Sequence, residues 1–228
     1  MTYTTILLDI DHTLHDSDTS EVEAFSATLR NQGISDPMAH YAAYQEINLG
    51  LWAAVERGEI LPAAVRSKRF ELLMSELAMD GNIEQMADDF VVGFATYGDL
   101  YPGARQVLDE LETRASLALI SNGMSEVQRP RIERLGIEHY FDAIVISAEV
   151  GVTKPGTRIF DIAFERLGNP PKDTVLMVGD SLTSDIKGGA NYGIDTCWYN
   201  PNGKIAGPDD VITHEIKSLE ELPPMAAR

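Results

Sequence analysis

The sequence predicts an α/β fold: a parallel sheet flanked by helices, interrupted after its first strand by an all-helical unit. Three observations carry this. Short apolar runs too brief for helices alternate with helix-length segments through the second half of the chain, and that alternation describes βαβ units. Residues 18–97 hold no convincing strand, only one helical pattern after another. Between the two regimes stands Tyr101-Pro102-Gly103, a Pro–Gly pair of the kind that punctuates a boundary.

The first strand is Ile6-Leu7-Leu8, which ends abruptly at Asp9-Ile10-Asp11. In extended geometry the side chains alternate, so the carboxylates of Asp9 and Asp11 share a side if the strand persists through Ile10. Thr19 or Ser20 is the expected cap of a first helix running to Gly33, with Glu21 and Glu23 in its first turn. Ser35-Asp36-Pro37 restarts a second, in which Tyr41, Tyr44, Ile47 and Leu51 recur at helical spacing. Pro62 opens a third through Val65, Phe70, Leu73 and Leu77, and Asn82 a fourth bearing Met86, Phe90 and Phe94. From residue 104 the period alternates. Helices near 104–114, 126–135 and 158–167, and one starting near Ser184, separate the runs Leu117-Ala118-Leu119-Ile120, Ala143-Ile144-Val145-Ile146, Val175-Leu176-Met177-Val178 and Thr196-Cys197-Trp198-Tyr199. The expected division is a core of residues 1–14 and 101–228 with a helical domain of residues 15–100 inserted.

With 228 residues, 44% hydrophobic and 24% charged, the chain has room for one large core or a core plus insertion. A net charge of −18 argues against nucleic acid and anionic membranes as partners. It leaves phosphorylated small molecules open, since one local cation outweighs a distant acidic surface. The single cysteine, Cys197, excludes an internal disulfide. No signal peptide or membrane span is evident in the sequence, and a cytoplasmic location is expected.

In open parallel sheets ligands sit beyond the carboxyl ends of the strands. Here those ends carry Asp9 and Asp11, then Ser121-Asn122-Gly123, then Gly179-Asp180-Ser181 with Asp185 five positions on. Lys154 lies in the loop after the run ending at Ile146. Taken singly, Ser-Asn-Gly is an ordinary turn, Gly-Asp-Ser an ordinary helix start and Lys154 a solvated lysine. Their joint placement at one sheet edge is much harder to ascribe to turns.

These residues resemble the haloacid dehalogenase superfamily in its phosphatase branch. Asp9-Ile10-Asp11-His12-Thr13 is similar to its first motif, Ser121-Asn122-Gly123 to the second, Lys154 to the third, and Gly179-Asp180-Ser181-Leu182-Thr183-Ser184-Asp185 to the fourth, in order and across essentially the whole chain. The resemblance implies a Rossmann-like core with a type C1 cap. It implies Asp9 as nucleophile forming an aspartyl-phosphate, and Asp11 as general acid and base. The proton affinity of Asp11 is expected to be raised by the neighbouring carboxylate. Mg²⁺ would be held by Asp9, the Asp11 backbone carbonyl and Asp180, with Asp185 in support. Lys154, the Ser121 hydroxyl and the amides of Asn122 and Gly123 would hold the phosphoryl group.

A closer likeness is to the YjjG-like pyrimidine 5′-nucleotidases. It rests on Asn48-Leu49-Gly50-Leu51-Trp52, Gly58-Glu59-Ile60, Arg69-Phe70-Glu71, the stretch Val145 to Pro155, and Thr196-Cys197-Trp198-Tyr199-Asn200. The implied substrate is a small phosphate monoester such as dUMP, UMP or TMP, and the implied assembly a monomer or homodimer. Asn48, Trp52 and Arg69 are the candidate substrate contacts. Against them stand cap-core packing for Trp52 and a surface ion pair for Arg69. The competing functions are a phosphatase for sugar or hydroxy-acid phosphates and, in another class, a slow-turnover phospho-accepting signalling module. The long helical insertion, Asp11 and the Asp180/Asp185 pair speak against the latter.

Overall fold

β1 (Thr5–Leu8) is buried along its whole length, as a strand must be with neighbours on both sides and helices on both faces. The structure, a computed structural model, describes residues 2–227. Ile6 and Leu8 pack on one face of the sheet among Leu108, Leu111 and Leu135, while Leu7 faces the other among Phe160, Ala163 and Met177. The two-residue period of the strand thus divides one short apolar run between two cores.

Four helices follow before the chain returns to the sheet: α1 (Ser17–Asn31), α2 (Tyr41–Glu56), α3 (Pro62–Glu76) and α4 (Ile83–Thr96). α1 begins earlier than expected. Asp16 is its cap, accepting from the Thr19 amide at 3.0 Å, because Ser17 and Ser20 are committed elsewhere: their hydroxyls donate to Asp11 and to the Tyr97 carbonyl. Pro37–His40 forms a 3₁₀ turn ahead of α2, so the second helix starts later than its proline suggested. Pro62 and Asn82 open α3 and α4 as expected, and Asn82 accepts from the Gln85 amide. The four helices share a core of their own around Phe25, Tyr44, Phe70 and Phe90. Its ring centroids lie 4.6–6.3 Å apart, within the range at which aromatic pairs add to simple burial.

The second half supplies α5 (Ala104–Leu111), β2 (Ser116–Ser121), α6 (Ser125–Leu135), β3 (Ala143–Ile146), a single turn α7 (Ser147–Val150), α8 (Arg158–Arg166), β4 (Val175–Gly179), α9 (Lys187–Tyr192), β5 (Asp195–Tyr199) and β6 (His214–Ile216). Every pairing is parallel and the order is β3-β2-β1-β4-β5-β6. The chain leaves β1 in one direction towards β2 and β3 and in the other towards β4, β5 and β6. The strand order therefore reverses at β1, where such sheets open a crevice. β6 escaped the sequence reading because only Ile216 of its three residues is buried, too little for an apolar run. The helix expected near Ser184 begins as a wide turn over Leu182–Ile186, closed by the Ile186 amide on the Ser181 carbonyl, and becomes regular at Lys187.

α4 docks on α6 through Val91 and Ala95 against Met124 and Val127. The joint is pinned by two cations. Arg131 donates to the Phe94 carbonyl at 2.6 Å and Arg134 to the Gly98 carbonyl at 2.7 Å. Among the described residues no helix is long and apolar enough to cross a membrane.

Candidate active site

Asp9 sits one residue beyond β1, its backbone amide donating to Val178 of β4 at 3.0 Å. Lys154 is 1% exposed and spends all three ammonium hydrogens: on Asp9 Oδ1 at 2.6 Å, Asp185 Oδ1 at 2.7 Å and the Ile120 carbonyl at 2.8 Å. Asn122 holds the lysine's loop in place. Its Nδ2 donates to the Lys154 carbonyl and its Oδ1 accepts from the Lys154 amide, both at 2.8 Å. Thr13 ties two strand ends together, donating to Asp9 Oδ2 at 3.4 Å and accepting from the Asp180 amide at 3.1 Å. The Trp198 indole donates to the Asp180 carbonyl at 2.9 Å. Residues 9, 154, 180 and 185 are thereby gathered, as their placement at strand ends required.

Carboxylate oxygens of Asp9, Asp180 and Asp185 all lie within 4.8 Å of one another. Burial pushes the Asp9 carboxyl well above the usual carboxylate range, against the pull of Lys154, and the neighbouring acids Asp185, Asp11 and Asp180 push it further. Asp180 is pushed up to about 6 by burial and by Asp185. Lys154 is held above the ordinary lysine range because Asp185 and Asp9 outweigh its burial. Three acids thus converge on one ammonium, leaving negative charge over. An all-oxygen set with surplus charge suits a hard divalent cation, so the residues fit Mg²⁺. Asp185 has both oxygens engaged, Oδ1 by Lys154 and Oδ2 by the Ser181 amide at 3.1 Å, which suits a supporting place better than a direct one.

Asp11 departs from expectation. The Ile10 carbonyl accepts from the amides of Thr13, Leu14 and His15, and His12 takes a φ of 58°, so the chain turns sharply here. The Asp11 carboxylate accepts from Arg131 Nη1 at 2.5 Å, Gln128 Nε2 at 2.6 Å and Ser17 Oγ at 2.7 Å. Burial alone would raise its proton affinity. The Arg131 guanidinium and the Ser17 hydroxyl outweigh burial and hold it well below the usual range. The expected upward push from a neighbouring acid is therefore overturned in this arrangement.

Ser121 lies at the end of β2 with its hydroxyl accepting from the Gly123 amide at 3.0 Å and Gln128 Nε2 at 3.1 Å. A Cβ at Gly123 would fall 2.3 Å from Gln128 Nε2, so a larger residue there would displace the Gln128 side chain from Ser121 and Asp11. A cavity of about 360 Å³ spans the sheet edge and the helical insertion. Asn48, Trp52 and Arg69 all line it. Arg69 is not in a surface ion pair. It is 1% exposed, donates to Tyr44 and to the Val65 carbonyl, and lies over the Phe90 ring at 4.6 Å. Trp52 packs beside Leu51 and Val55, in the packing role expected for it, and also lines the cavity.

The family model of the haloacid dehalogenase-like hydrolases matches residues 6–199. The chain belongs to that family. Among relatives of this haloacid dehalogenase-like hydrolase, the pyrimidine 5′-nucleotidase YjjG of Escherichia coli is 35% identical over 217 residues, covering 95% of each chain. The pyrimidine 5′-nucleotidase PynA of Streptococcus pneumoniae is 32% identical, covering 97% of this chain and 94% of its own. The crystal structure of the HAD-hydrolase YfnB from Bacillus subtilis, described as bound to magnesium, superposes with a TM-score of 0.90 at 34% identity over 97% of both chains.

Sequence reasoning missed Ser17, Gln128 and Arg131. Gln128 and Arg131 stand three apart on α6 and share one face. Nothing distinguishes them in sequence from a solvated helix face, yet Arg131 is fully buried.

Proposed function

We propose that this protein is a Mg²⁺-dependent phosphomonoester hydrolase working through an aspartyl-phosphate, and that its substrates are pyrimidine nucleoside monophosphates such as dUMP, UMP and TMP. The observation that carries the reaction is the buried Asp9 held by Lys154 among surplus acids at the floor of the cavity. The substrate class is supported by the near full-length likeness to YjjG and PynA, both named pyrimidine 5′-nucleotidases.

In this reading an Asp9 oxygen attacks phosphorus while the ester P–O bond breaks, and Asp11 gives a proton to the departing 5′-oxygen. Water then attacks the phosphorus of the aspartyl-phosphate, Asp11 takes its proton, and inorganic phosphate leaves with Asp9 regenerated. The ionised Asp11 of this structure suits the second step. The first requires it to exchange Arg131 and Gln128 for a proton. Asp9, Asp180 and the Asp11 backbone carbonyl would hold Mg²⁺, which would supply positive charge to a site that otherwise repels a phosphate dianion. Lys154 adds a fixed ammonium, already oriented by three hydrogen bonds, and Ser121 with the amides of Asn122 and Gly123 would receive the phosphoryl oxygens. Residues 15–100 act as the cap, excluding water and supplying the leaving-group contacts.

The test is phosphate release with Mg²⁺ across dUMP, UMP, TMP, purine nucleotides, sugar phosphates and hydroxy-acid phosphates. Pyrimidine nucleotides should show the highest kcat/KM, and a chelator should abolish turnover. Sugar phosphates turned over fastest by a wide margin would end the nucleotidase reading. Turnover indifferent to chelator would end the metal-dependent one.

A further inference from the structure

Within that reading, and resting on it, we propose that Glu21 of α1 is the residue that reads the base, accepting the N3–H of uracil or thymine while Arg69 donates to a flanking carbonyl and Asn48 holds the carboxylate in place. Glu21 lines the same cavity as the catalytic floor. Its Oε1 is already engaged, by Asn48 Nδ2 at 2.6 Å and by the Tyr44 hydroxyl at 3.1 Å. Its Oε2 takes only a long contact from the Tyr41 hydroxyl at 3.5 Å. Burial raises the proton affinity of Glu21, with Arg69 and the Tyr44 hydroxyl opposing; as the ionised form the carboxylate can only accept, so its unused capacity calls for a donor.

Two neighbours are unfilled in the same way. Asn48 Oδ1 is buried and no group donates to it. Arg69 donates through Nε and Nη1, but among the described residues no acceptor takes a hydrogen from its Nη2, and no carboxylate lies within ion-pair distance of it. Buried polar groups are normally satisfied. Of the three, Asn48 Oδ1 is the one buried with no partner, while Glu21 Oε2 and Arg69 Nη2 bring one open acceptor and one open donor to the same cavity.

The chemistry of a partner follows. Glu21 and Arg69, linked through the Tyr44 hydroxyl, offset one another, and Asp18 and Glu56 on the same cavity leave negative charge over. They suit a neutral group and disfavour a second anion such as the carboxylate of a hydroxy-acid phosphate. The partner must present an N–H beside a carbonyl, with flat faces for Trp52 and Phe94, which also line the cavity. The imide edge of uracil or thymine alternates C=O, N–H, C=O. Cytosine offers a lone pair at N3, which the carboxylate repels.

Glu21→Gln tests this sharply. The amide of Asn48 and the hydroxyl of Tyr44 both donate to Oε1, so they hold the carbonyl oxygen of the new glutamine there and turn its NH₂ to the position of Oε2. An acceptor becomes a donor. The kcat/KM ratio of dUMP to dCMP should fall about 10–100-fold, since a site built to bond an N–H discriminates strongly against its absence. A ratio unchanged, with both substrates falling together, would mean that Glu21 only supports the fold. Independent of any variant, the native enzyme should turn over N3-methyl-dUMP about 10–100-fold less efficiently than dUMP. A native enzyme that prefers dUMP yet tolerates the N3-methyl group overturns this inference alone. One that prefers sugar phosphates overturns the nucleotidase reading and the inference with it.

Discussion

The two walls of the cavity handle polar groups in opposite ways. At the sheet edge every donor on Lys154 is spent and like charges are forced together, three acids against one ammonium. On the helical wall Asp18, Glu21 and Glu56 face the single guanidinium of Arg69, and hydrogen-bonding capacity on Glu21, Asn48 and Arg69 stands open. The first wall is preorganised for a reaction that is the same for every phosphate ester. The second is left incomplete for whatever leaves. Substitutions at the sheet edge should therefore decide whether turnover occurs, and those on the helical wall which ester is turned over.

Asp9→Asn is the largest break available. It should lower kcat by at least ~10³-fold, because a lost nucleophile is not replaced by binding alone. Removing one of several crowded acids should leave the unfolding free energy within about 1–2 kcal/mol of the native value. Steady-state kinetics and urea unfolding on the same preparation read both. Lys154→Met comes next and acts on stability as well. It leaves Asp9, Asp180 and Asp185 with no buried counter-charge, and breaking a buried pair this way costs about 3–5 kcal/mol. Saturating Mg²⁺ should recover part of that loss, since a bound cation restores the missing charge. A deficit in urea unfolding that Mg²⁺ leaves untouched would show that the three acids do not share an ion.

The same contrast explains what the sequence could show. Asp9, Lys154, Asp180 and Asp185 were legible because parallel strands place their carboxyl ends together whatever the helices do, so order along the chain becomes proximity in space. Pro62 and Asn82 were legible because helix starts have local chemistry. Glu21 was not, since an acid in the first turn of a helix is ordinarily a response to the helix dipole. Its neighbours Asn48 and Arg69 come from α2 and α3, and only the packing of three helices reveals that their polar atoms meet. Arg69 shows the cost of reading singly: a surface pair is the sensible guess for one arginine, and burial over Phe90 depends on the whole insertion. Asp11 was correctly placed at a strand end but given the wrong neighbour. Arg131, more than a hundred positions away, outweighs the acid two residues off.

His15 sharpens the comparison at the joint between the walls. It is fully buried, with Nδ1 3.0 Å from Ser17 Oγ and Nε2 3.4 Å from Ser20 Oγ. Burial, and then Arg131, push its imidazole down to about 4, with Asp11 opposing. The unfolded chain binds the proton near 6.5 and the folded one only near 4, so the neutral histidine's contribution is complete above pH 6.5 and is lost as pH falls towards 4. That loss is on the order of 3 kcal/mol. His15→Gln should flatten the pH dependence of unfolding across this window, and an unchanged slope would place the proton uptake elsewhere.

The smallest expected effect belongs to a pair outside the cavity, which sets the scale for the others. Glu149, just before the Lys154 loop, accepts from Arg129 at 2.7 and 2.8 Å and from Ser125 at 2.6 Å. The Arg129 hydrogen bonds, against the opposing pull of burial and with help from Ser125, hold its carboxyl down at about 2. The stabilisation is present above the unfolded value of about 4.5 and fades as pH falls towards 2. Both partners meet solvent, and screening limits such a pair to about 0.5–1 kcal/mol. Arg129→Ala should therefore lower stability by that much at pH 6 and by almost nothing at pH 2, as read by urea midpoints. An ion pair between long surface side chains is worth less than a charge with nowhere else to go. Were Arg129→Ala to cost as much as Lys154→Met, the burial of the sheet-edge ammonium would not be what gives it its importance.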